Sequence, residues 1–564
     1  MTLSTPRLPM QGTDRAFPFT AIAAGALLAC CGNALAMEID TGNPDVSVRW
    51  DNSVRLNYAT RVENRDPKIG NSPLSDEGTF SFDRGDAVSK RIDLLSELDV
   101  VYKKRHGFRI SGAGWYDGAY GSTSRSNPTF AAIPSYVNNQ YSPLTKRFYG
   151  GPSGEILDAF AFTGFDAGNV PVQAKAGRHT LYWGESLFLG GHLHSVSYSQ
   201  NSLDLQKGFA TPGTEAKELF RPLNQLSAQA QLTDELSVAG QYLLQWESAR
   251  YPEGGTYLGP VDGVFNGPDR QFLSAAAGFA NRGPAFEPPQ RGEFGLSARW
   301  SPKALDGGTV GFYYRRFADK LPQVLITSPS TVPNGSQYNL VYADGIDLFG
   351  ASFAKNIAGI SFGAEVSTRR NTPLFSTTLG VAPGRPAAGD TNGARGDTWH
   401  ALMNATGVVP KTALFDAAVW AAELQWSQWS KVRSGANLFF AEGFAPCNGR
   451  DKWDGCATKD YLGTSVAFTP TWYQVFAGVD LSAPITYSVG LHGNSAVTFG
   501  GNESLGNYSV GLSADVQQKY RFDLKYIDFV GRYKDNGTAV TATNGLNTFL
   551  RDRGFVSLTF RTTF

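Results

Sequence analysis

The amino-acid sequence predicts an all-β chain closed into a transmembrane antiparallel β-barrel of about 18 strands, with about 16 as the runner-up. Three observations carry this expectation. The chain ends in an alternating segment, Gly554–Phe564, where Val556, Leu558 and Phe560 share one parity and Ser557, Thr559 and Arg561 the other, and its last residue is aromatic. After residue 36 no stretch approaches the roughly 20 apolar residues that a membrane-spanning helix needs. Short polar turns and long polar connections follow one another along the chain, as in barrels with short periplasmic turns and longer outer loops. A chain that crosses lipid without helices must close its sheet, because an open edge leaves backbone N–H and C=O groups unpaired in hydrocarbon.

Composition agrees. A formal net charge of +0 over 564 residues offers no basic excess to neutralise phosphates, so nucleic acid is not an expected partner. The mean hydropathy of -0.24 is too polar for a bundle of membrane helices and suits a barrel in which every second strand residue meets lipid. At the amino terminus, Arg7 and Arg15 precede the apolar run Ala21–Cys30, and Ala34-Leu35-Ala36 has the small-x-small pattern of a secretory cleavage site. This predicts a signal peptide over 1–36, removed on export, and a barrel over 37–564 in the outer membrane of a Gram-negative bacterium. The rival reading takes Leu27–Cys30 as a lipoprotein box with a lipidated Cys30. Only Met37–Asp45 separate the cleavage site from the first strand, too little for a plug domain, which disfavours a plugged active transporter.

Taken in order, Val46, Val48, Trp50, Val54, Leu56 and Tyr58 alternate with Arg49, Asp51 and Arg55 in a long two-faced strand. Residues 63–90 are polar and read as a loop. Ile92, Leu94, Leu98, Val100 and Tyr102 then oppose Asp93, Glu97, Asp99 and Lys103. After the turn Lys104–Gly107, Phe108, Ile110 and Tyr116 oppose Arg109, Ser111 and Asp117, which makes a hairpin. Past a long loop at 120–155, strands at 156–165 and 170–183 are joined by the tight turn Asp166–Asn169. Downstream, Leu232–Leu236, Lys355–Gly359 and Gln517–Lys519 read as short turns, and 248–290, 370–397 and 431–462 as long loops. In the segment 519–530, Tyr520, Phe522, Leu524 and Tyr526 oppose Arg521, Asp523 and Lys525, and lipid does not tolerate those charges, so their side faces the lumen. The same alternation assigns Glu365 to the lumen. A barrel of this size encloses water rather than a packed core.

Between 178 and 222 the two-residue rhythm fails. A wide lumen left empty is unselective, so this stretch is expected to fold inward as a constriction, the alternative being a loop that merely covers the mouth. Glu185, Asp204, Lys207, Lys217, Glu218 and Arg221 are its candidate lumen charges, and Trp183, Phe188 and Phe220 its apolar contacts.

The run Trp183–Phe188 followed by Asp204, Pro212-Gly213 and Lys217-Glu218 resembles the proteobacterial family catalogued as domain of unknown function 1302. So do Arg91–Asp99, Gly107–Ser111, Gly114–Asp117 and Asp347–Ser352. The resemblance runs from about residue 45 to the end. It implies an outer-membrane β-barrel, with neighbours such as an exported periplasmic partner and a large inner-membrane exporter-like protein, in settings that handle hydrophobic compounds.

Little points to covalent chemistry, and the chain is not expected to be an enzyme or to carry a cofactor or metal. His192 and His194 could share one face of a strand, yet no third ligand accompanies them, and exposed loop histidines are the expectation. Cys447 and Cys456, in a Gly/Asp/Asn-rich stretch of an exported chain, most simply form a local disulfide. Arg395-Gly396-Asp397 is taken as a chance match to an adhesion triplet. The expected function is a porin-like channel for small, hydrophobic or amphipathic organic molecules, working among outer-membrane lipids. The alternative is a surface-binding or adhesion barrel with a closed lumen and working outer loops.

Overall fold

The computed structural model describes residues 37–210, 219–327, 335–377, 379–381 and 393–564. The expected signal peptide lies outside the described residues. The barrel begins with β1 (Val46–Arg61), β2 (Ala87–Tyr102), β3 (His106–Asp117), β4 (Ser153–Ala167), β5 (Val170–His179) and β6 (Leu223–Gln231). It continues through β7 (Leu236–Leu243), β8 (Phe294–Trp300), β9 (Thr309–Phe317), β10 (Ile346–Ile357), β11 (Ile360–Pro373) and β12 (Arg395–Val409). It ends with β13 (Ala417–Ser434), β14 (Asp460–Phe476), β15 (Val479–Ser482, resumed as Ile485–His492), β16 (Gly506–Val516), β17 (Tyr520–Val530) and β18 (Phe555–Thr563). Each strand pairs antiparallel with its chain neighbours, and β18 returns to β1 from Ser53↔Thr563 to Arg61↔Phe555, closing an 18-strand ring.

Connections alternate as the sequence predicts. Turns such as 103–105, 168–169, 358–359 and 517–519 sit at one end of the ring, and long connections such as 118–152, 244–293 and 531–554 at the other. Tight hairpin turns that follow the strand twist need positive φ at their central residues. Lys103 and Lys104 adopt φ 49 and 57, and Gln517 and Gln518 φ 55 and 53, so these turns form without glycine.

Strand parity separates two solvents. Leu94, Ile110, Leu296, Phe312, Phe353, Met403, Leu524 and Leu558 project outward and stay exposed, Leu296 at 55%. So large an apolar surface has no place in water and fits the lipid-facing band of a transmembrane barrel. On the opposite parity Arg55 pairs with Asp93 at 2.9 Å, and Arg109 with Glu97 and, at 3.2 Å, Asp99.

The long-connection end is packed. A five-stranded sheet joins Arg270–Ser274, Gly278–Arg282, Ser336–Val341, Gln323–Thr327 and Leu379–Val381. Cys447 and Cys456 are bonded within the 435–459 connection. Buried carboxyls lie in this layer. Asp76, Glu77 and Asp262 sit together, with Asp262 accepting from the Glu77 N–H at 3.0 Å and the Gly78 N–H at 3.2 Å, and burial raises the pKa of all three. Glu253, which accepts from the Gly267 N–H at 2.7 Å, is pushed up by burial to about 7.

Glu253 therefore holds a proton in the folded layer between its ordinary 4.5 and about 7, where the unfolded chain has lost it. Stability falls as pH rises through that window and, for this group, is flat on either side. Hydrogen exchange of residues 253–267, corrected for the intrinsic rate, is expected to be slower below pH ~5 than above pH ~7. Glu253→Gln should remove part of that difference, and an unchanged profile in this variant would refute the assignment.

Candidate functional site

At His179 the chain leaves the wall, and it re-enters at Leu223, its register partner. Regular pairing cannot continue between them, because the backbone turns into the lumen, and β5 ends short of the expected Trp183. The excursion runs in along 181–188 and back along 193–201. It is stitched to itself where Asn201 Nδ2 donates to the Leu181 carbonyl at 2.6 Å and the Trp183 N–H donates to Gln200 Oε1 at 3.0 Å.

A non-helical backbone inside a barrel carries polar groups that need partners. Lumen-facing side chains of the wall supply them. Glu365 on β11 accepts the Glu185 N–H and, at 2.8 Å, the Val196 N–H. Glu423 on β13 accepts the Leu187 N–H at 2.7 Å and the Phe188 N–H at 3.1 Å. Asn404 on β12 donates to the Glu185 carbonyl at 2.6 Å. Arg369 on β11 donates to Leu193 O at 2.9 Å, and Arg315 on β9 donates to Val196 O at 3.2 Å and to Tyr198 O at 2.5 Å. With Glu365 only 5% and Glu423 only 1% exposed, carboxylate-to-N–H bonds of this kind hold where water is excluded.

The two histidines depart from expectation. His192 and His194 are 0% and 1% exposed rather than on an outer loop. His194 shares a hydrogen bond with His400 through their Nδ1 atoms at 3.0 Å and donates from Nε2 to Gly500 O at 2.7 Å, while His192 meets Ser197 Oγ at 3.1 Å. Burial lowers both pKa values to about 3, which leaves two neutral rings inside the excursion. Among the described residues no group of three His, Cys, Asp or Glu could hold a metal ion.

The candidate constriction residues divide into two places. Trp183 packs beside Tyr313, Glu185 directs its carboxylate toward Ser352 Oγ at 3.3 Å and Arg299 at 3.9 Å, and Phe188 is buried under β13. Asp204 and Arg221 instead join an ion network at the wall end: Arg250 pairs with Asp204 at 2.9 Å and with Glu155 at 2.8 Å, and Glu247 pairs with Arg178 at 2.5 Å and with Arg221 at 3.3 Å. Phe220 meets Tyr182 and His192 in tilted ring contacts. The Lys207 N–H is capped by Asp204 at 3.0 Å in a short helix, Leu205–Ala210. Lys217 and Glu218 lie outside the described residues. On the strands, Arg521 pairs with Asp523 at 3.1 Å, and Lys525 shares their parity opposite Phe522 and Leu524. Reading the sequence missed Arg315, Arg369, Asn404 and Glu423. The available signal was polar residues on the lumen parity of strands that pass the irregular stretch.

Between the excursion, the connections 493–505 and 531–554, and the wall at β13 to β16 lies a chamber of about 650 Å³. Phe188, Leu193, Phe209, Phe265, Phe499 and Leu550 give it an apolar lining, and among the described residues its only charge is Asp454, paired with Lys534 at 2.8 Å. The lumen toward the short turns is charged and solvent-open, as Arg109 with Glu97, Asp99 and Asp158 shows.

Residues 17–564 match the family described as "Protein of unknown function (DUF1302)". No curated protein matches the chain. Among solved structures it is similar to Pseudomonas aeruginosa OpdK with vanillate, at 10% identity and a TM-score of 0.41 over 92% of this chain and 98% of that one. Pseudomonas aeruginosa OccK9 (OpdG) gives 10%, 0.41, 92% and 98%. Acinetobacter baumannii OccAB4 gives 9%, 0.39, 92% and 98%.

If Glu423 anchors the excursion, Glu423→Ala leaves two buried N–H groups without an acceptor, a loss of about 1–3 kcal/mol for each. Hydrogen exchange at residues 185–198 is expected to quicken by roughly tenfold or more while β16 to β18 stay protected. Uniform loss of protection would mean a folding defect, and no change would remove Glu423 as the anchor.

Proposed function

The chain belongs to the DUF1302 family, and we propose that it is a porin-like channel of the Gram-negative outer membrane for small, hydrophobic or amphipathic organic molecules. The observation that supports this most is the placement of 181–201 between two unlike spaces: a charged, solvated lumen on the short-turn side and, on the long-connection side, a mostly apolar chamber whose one charged lining residue among the described residues, Asp454, is paired with Lys534. An amphipathic solute finds an apolar surface in one and water with fixed charges in the other. Direction and motive force would come from a gradient, or from the exported partner and inner-membrane exporter-like protein that the family resemblance implies.

The adhesion reading gains no support from its triplet. Arg395, Gly396 and Asp397 lie in β12, where Arg395 is buried and Asp397 pairs with Arg433 at 2.6 Å.

Because His179 and Leu223 are register partners, residues 181–221 can be replaced by a short hairpin turn without altering the wall. In planar bilayers the wild-type protein should give small conductance steps, and the shortened barrel steps several-fold larger. Equal conductance in the two proteins would remove the excursion as the constriction, and none in either would defeat the channel reading.

A further inference from the structure

The seam that closes the barrel gathers one kind of charge. Its register sets Arg55 of β1 opposite Arg561 of β18, and Arg561 opposite Arg521 of β17, so three arginines stand abreast. Leu56, Phe560 and Phe522 make the next row, and Phe522 is 42% exposed on the lipid side. The arginines alternate with that row and therefore face the lumen. Arg521 is the second residue of β17, directly after the turn 517–519, which puts the row at the short-turn mouth.

Side chains directly opposite on neighbouring strands stand about 5 Å apart at Cβ, and like charges there destabilise a sheet. Elsewhere in the lumen the signs are mixed: Arg109 meets Glu97, Asp99 and Asp158. At the seam they are separated. Arg55 turns to Asp93, which also takes Arg91 at 2.8 Å, and Arg521 turns to Asp523 at 3.1 Å. Beyond Arg521 the row ends in Asp515 and Asp480, and among the described residues neither makes an ion pair. Arg561, between two guanidinium groups, is exposed, and among the described residues its side chain has neither an ion pair nor a hydrogen bond.

We propose that Arg561, with Arg55 and Arg521 on either side, is a binding site for the carboxylate of an amphipathic organic monoanion. The inference rests on the channel reading and names the charge of its cargo. A guanidinium fork matches a carboxylate edge with two parallel N–H···O bonds, and an anion held among three arginines offsets the repulsion that the register builds in. One negative charge suits the site better than two, because carboxylates close the row at both ends. Beyond 181–201 the apolar body of the same molecule finds the chamber.

The test uses the full-length protein in lipid nanodiscs, with empty nanodiscs as the partition blank. Benzoate, benzyl alcohol and terephthalate share one ring body, and their binding is read by saturation-transfer NMR on the ligand. Benzoate is expected to bind about tenfold more tightly than benzyl alcohol, the effect of a charge-assisted hydrogen-bonded pair, and terephthalate no more tightly than benzoate. Arg561→Gln should bring benzoate down to the level of the alcohol. Arg561→Lys, which keeps the charge without the fork, should retain only part of the difference. Arg84→Gln removes an exposed positive charge from the connection 62–86 and should leave all three unchanged. Because it relieves crowding of like charge, Arg561→Gln should unfold at the wild-type temperature or higher on heat-modifiable gels, and benzoate should raise that temperature in the wild type alone. A less stable Arg561→Gln protein without ligand would give Arg561 a structural role and overturn the inference. So would equal binding of benzoate and the alcohol, tighter binding of terephthalate, or a benzoate preference that survives Arg561→Gln. Conductance measured on the same preparations separates the two failures: channel steps without the benzoate preference overturn the ligand class alone, and the preference without channel steps overturns the channel and upholds the site.

Discussion

In hydrocarbon a backbone N–H or C=O has no water to bond, and a sheet that enters it must have no edge. Everything else in this chain follows from meeting that demand at one seam. β18 lies along β1 for nine register pairs, and past them Asn52 and Phe564 exchange N–H···O bonds at 2.7 and 2.8 Å. The last residue of the chain is thus the last rung of the ring. With the seam closed, strand parity is the only remaining choice for a side chain, lipid or lumen, and the outward row of Leu296, Phe312 and Phe353 records the first of these.

The same demand recurs inside the lumen on a smaller scale. Apart from one short helical turn at Leu189–His192, residues 181–201 have no helix or sheet to pair their backbone, so many of their N–H and C=O groups depend on the wall. The wall answers with both signs: Glu365 and Glu423 take N–H groups, and Arg315 and Arg369 give to carbonyls. Two carboxylates and two guanidinium groups bring both signs to the contact, which matters where water is scarce, since buried charge of one sign alone is far more costly than a mixed set. The excursion is therefore as much a property of β9, β11 and β13 as of its own residues.

Much of this was legible in the sequence, for a reason of geometry. A period of two survives translation into structure, so Arg521, Asp523 and Lys525 opposite Phe522 and Leu524 could be assigned a side without knowing any neighbour. The strand count followed from the spacing of such segments and the alternation of turns. What could not be read is whatever depends on contacts distant in sequence. Glu365 was visible as a lumen charge, but not as the acceptor for Glu185 and Val196, some 170 residues away in the chain. His192 and His194 looked like loop residues because nothing local announces that a Gly-rich stretch will be buried; His400 of β12 and Gly500 of the connection 493–505, both distant in sequence, close over His194. The pairing of Asp204 and Arg221 was hidden in the same way, since their partner groups, Arg250 and Glu247, sit in a different connection.

The barrel and its filling can be altered separately. His179 and Leu223 would be neighbours in the sheet whether a short turn or a long excursion joined them, so the wall places no constraint on the length between. Selectivity can then be set by what is inserted, while the ring that must survive in lipid stays the same. The chamber shows the other half of this arrangement. It is bounded partly by the excursion and partly by connections 493–505 and 531–554, whose strands stand at β15 to β18, well removed from β5 around the ring. No single connection encloses it, so its shape is fixed only when all of them fold over a closed ring. The apolar space therefore depends on the seam at Phe564 as directly as the lipid-facing wall does.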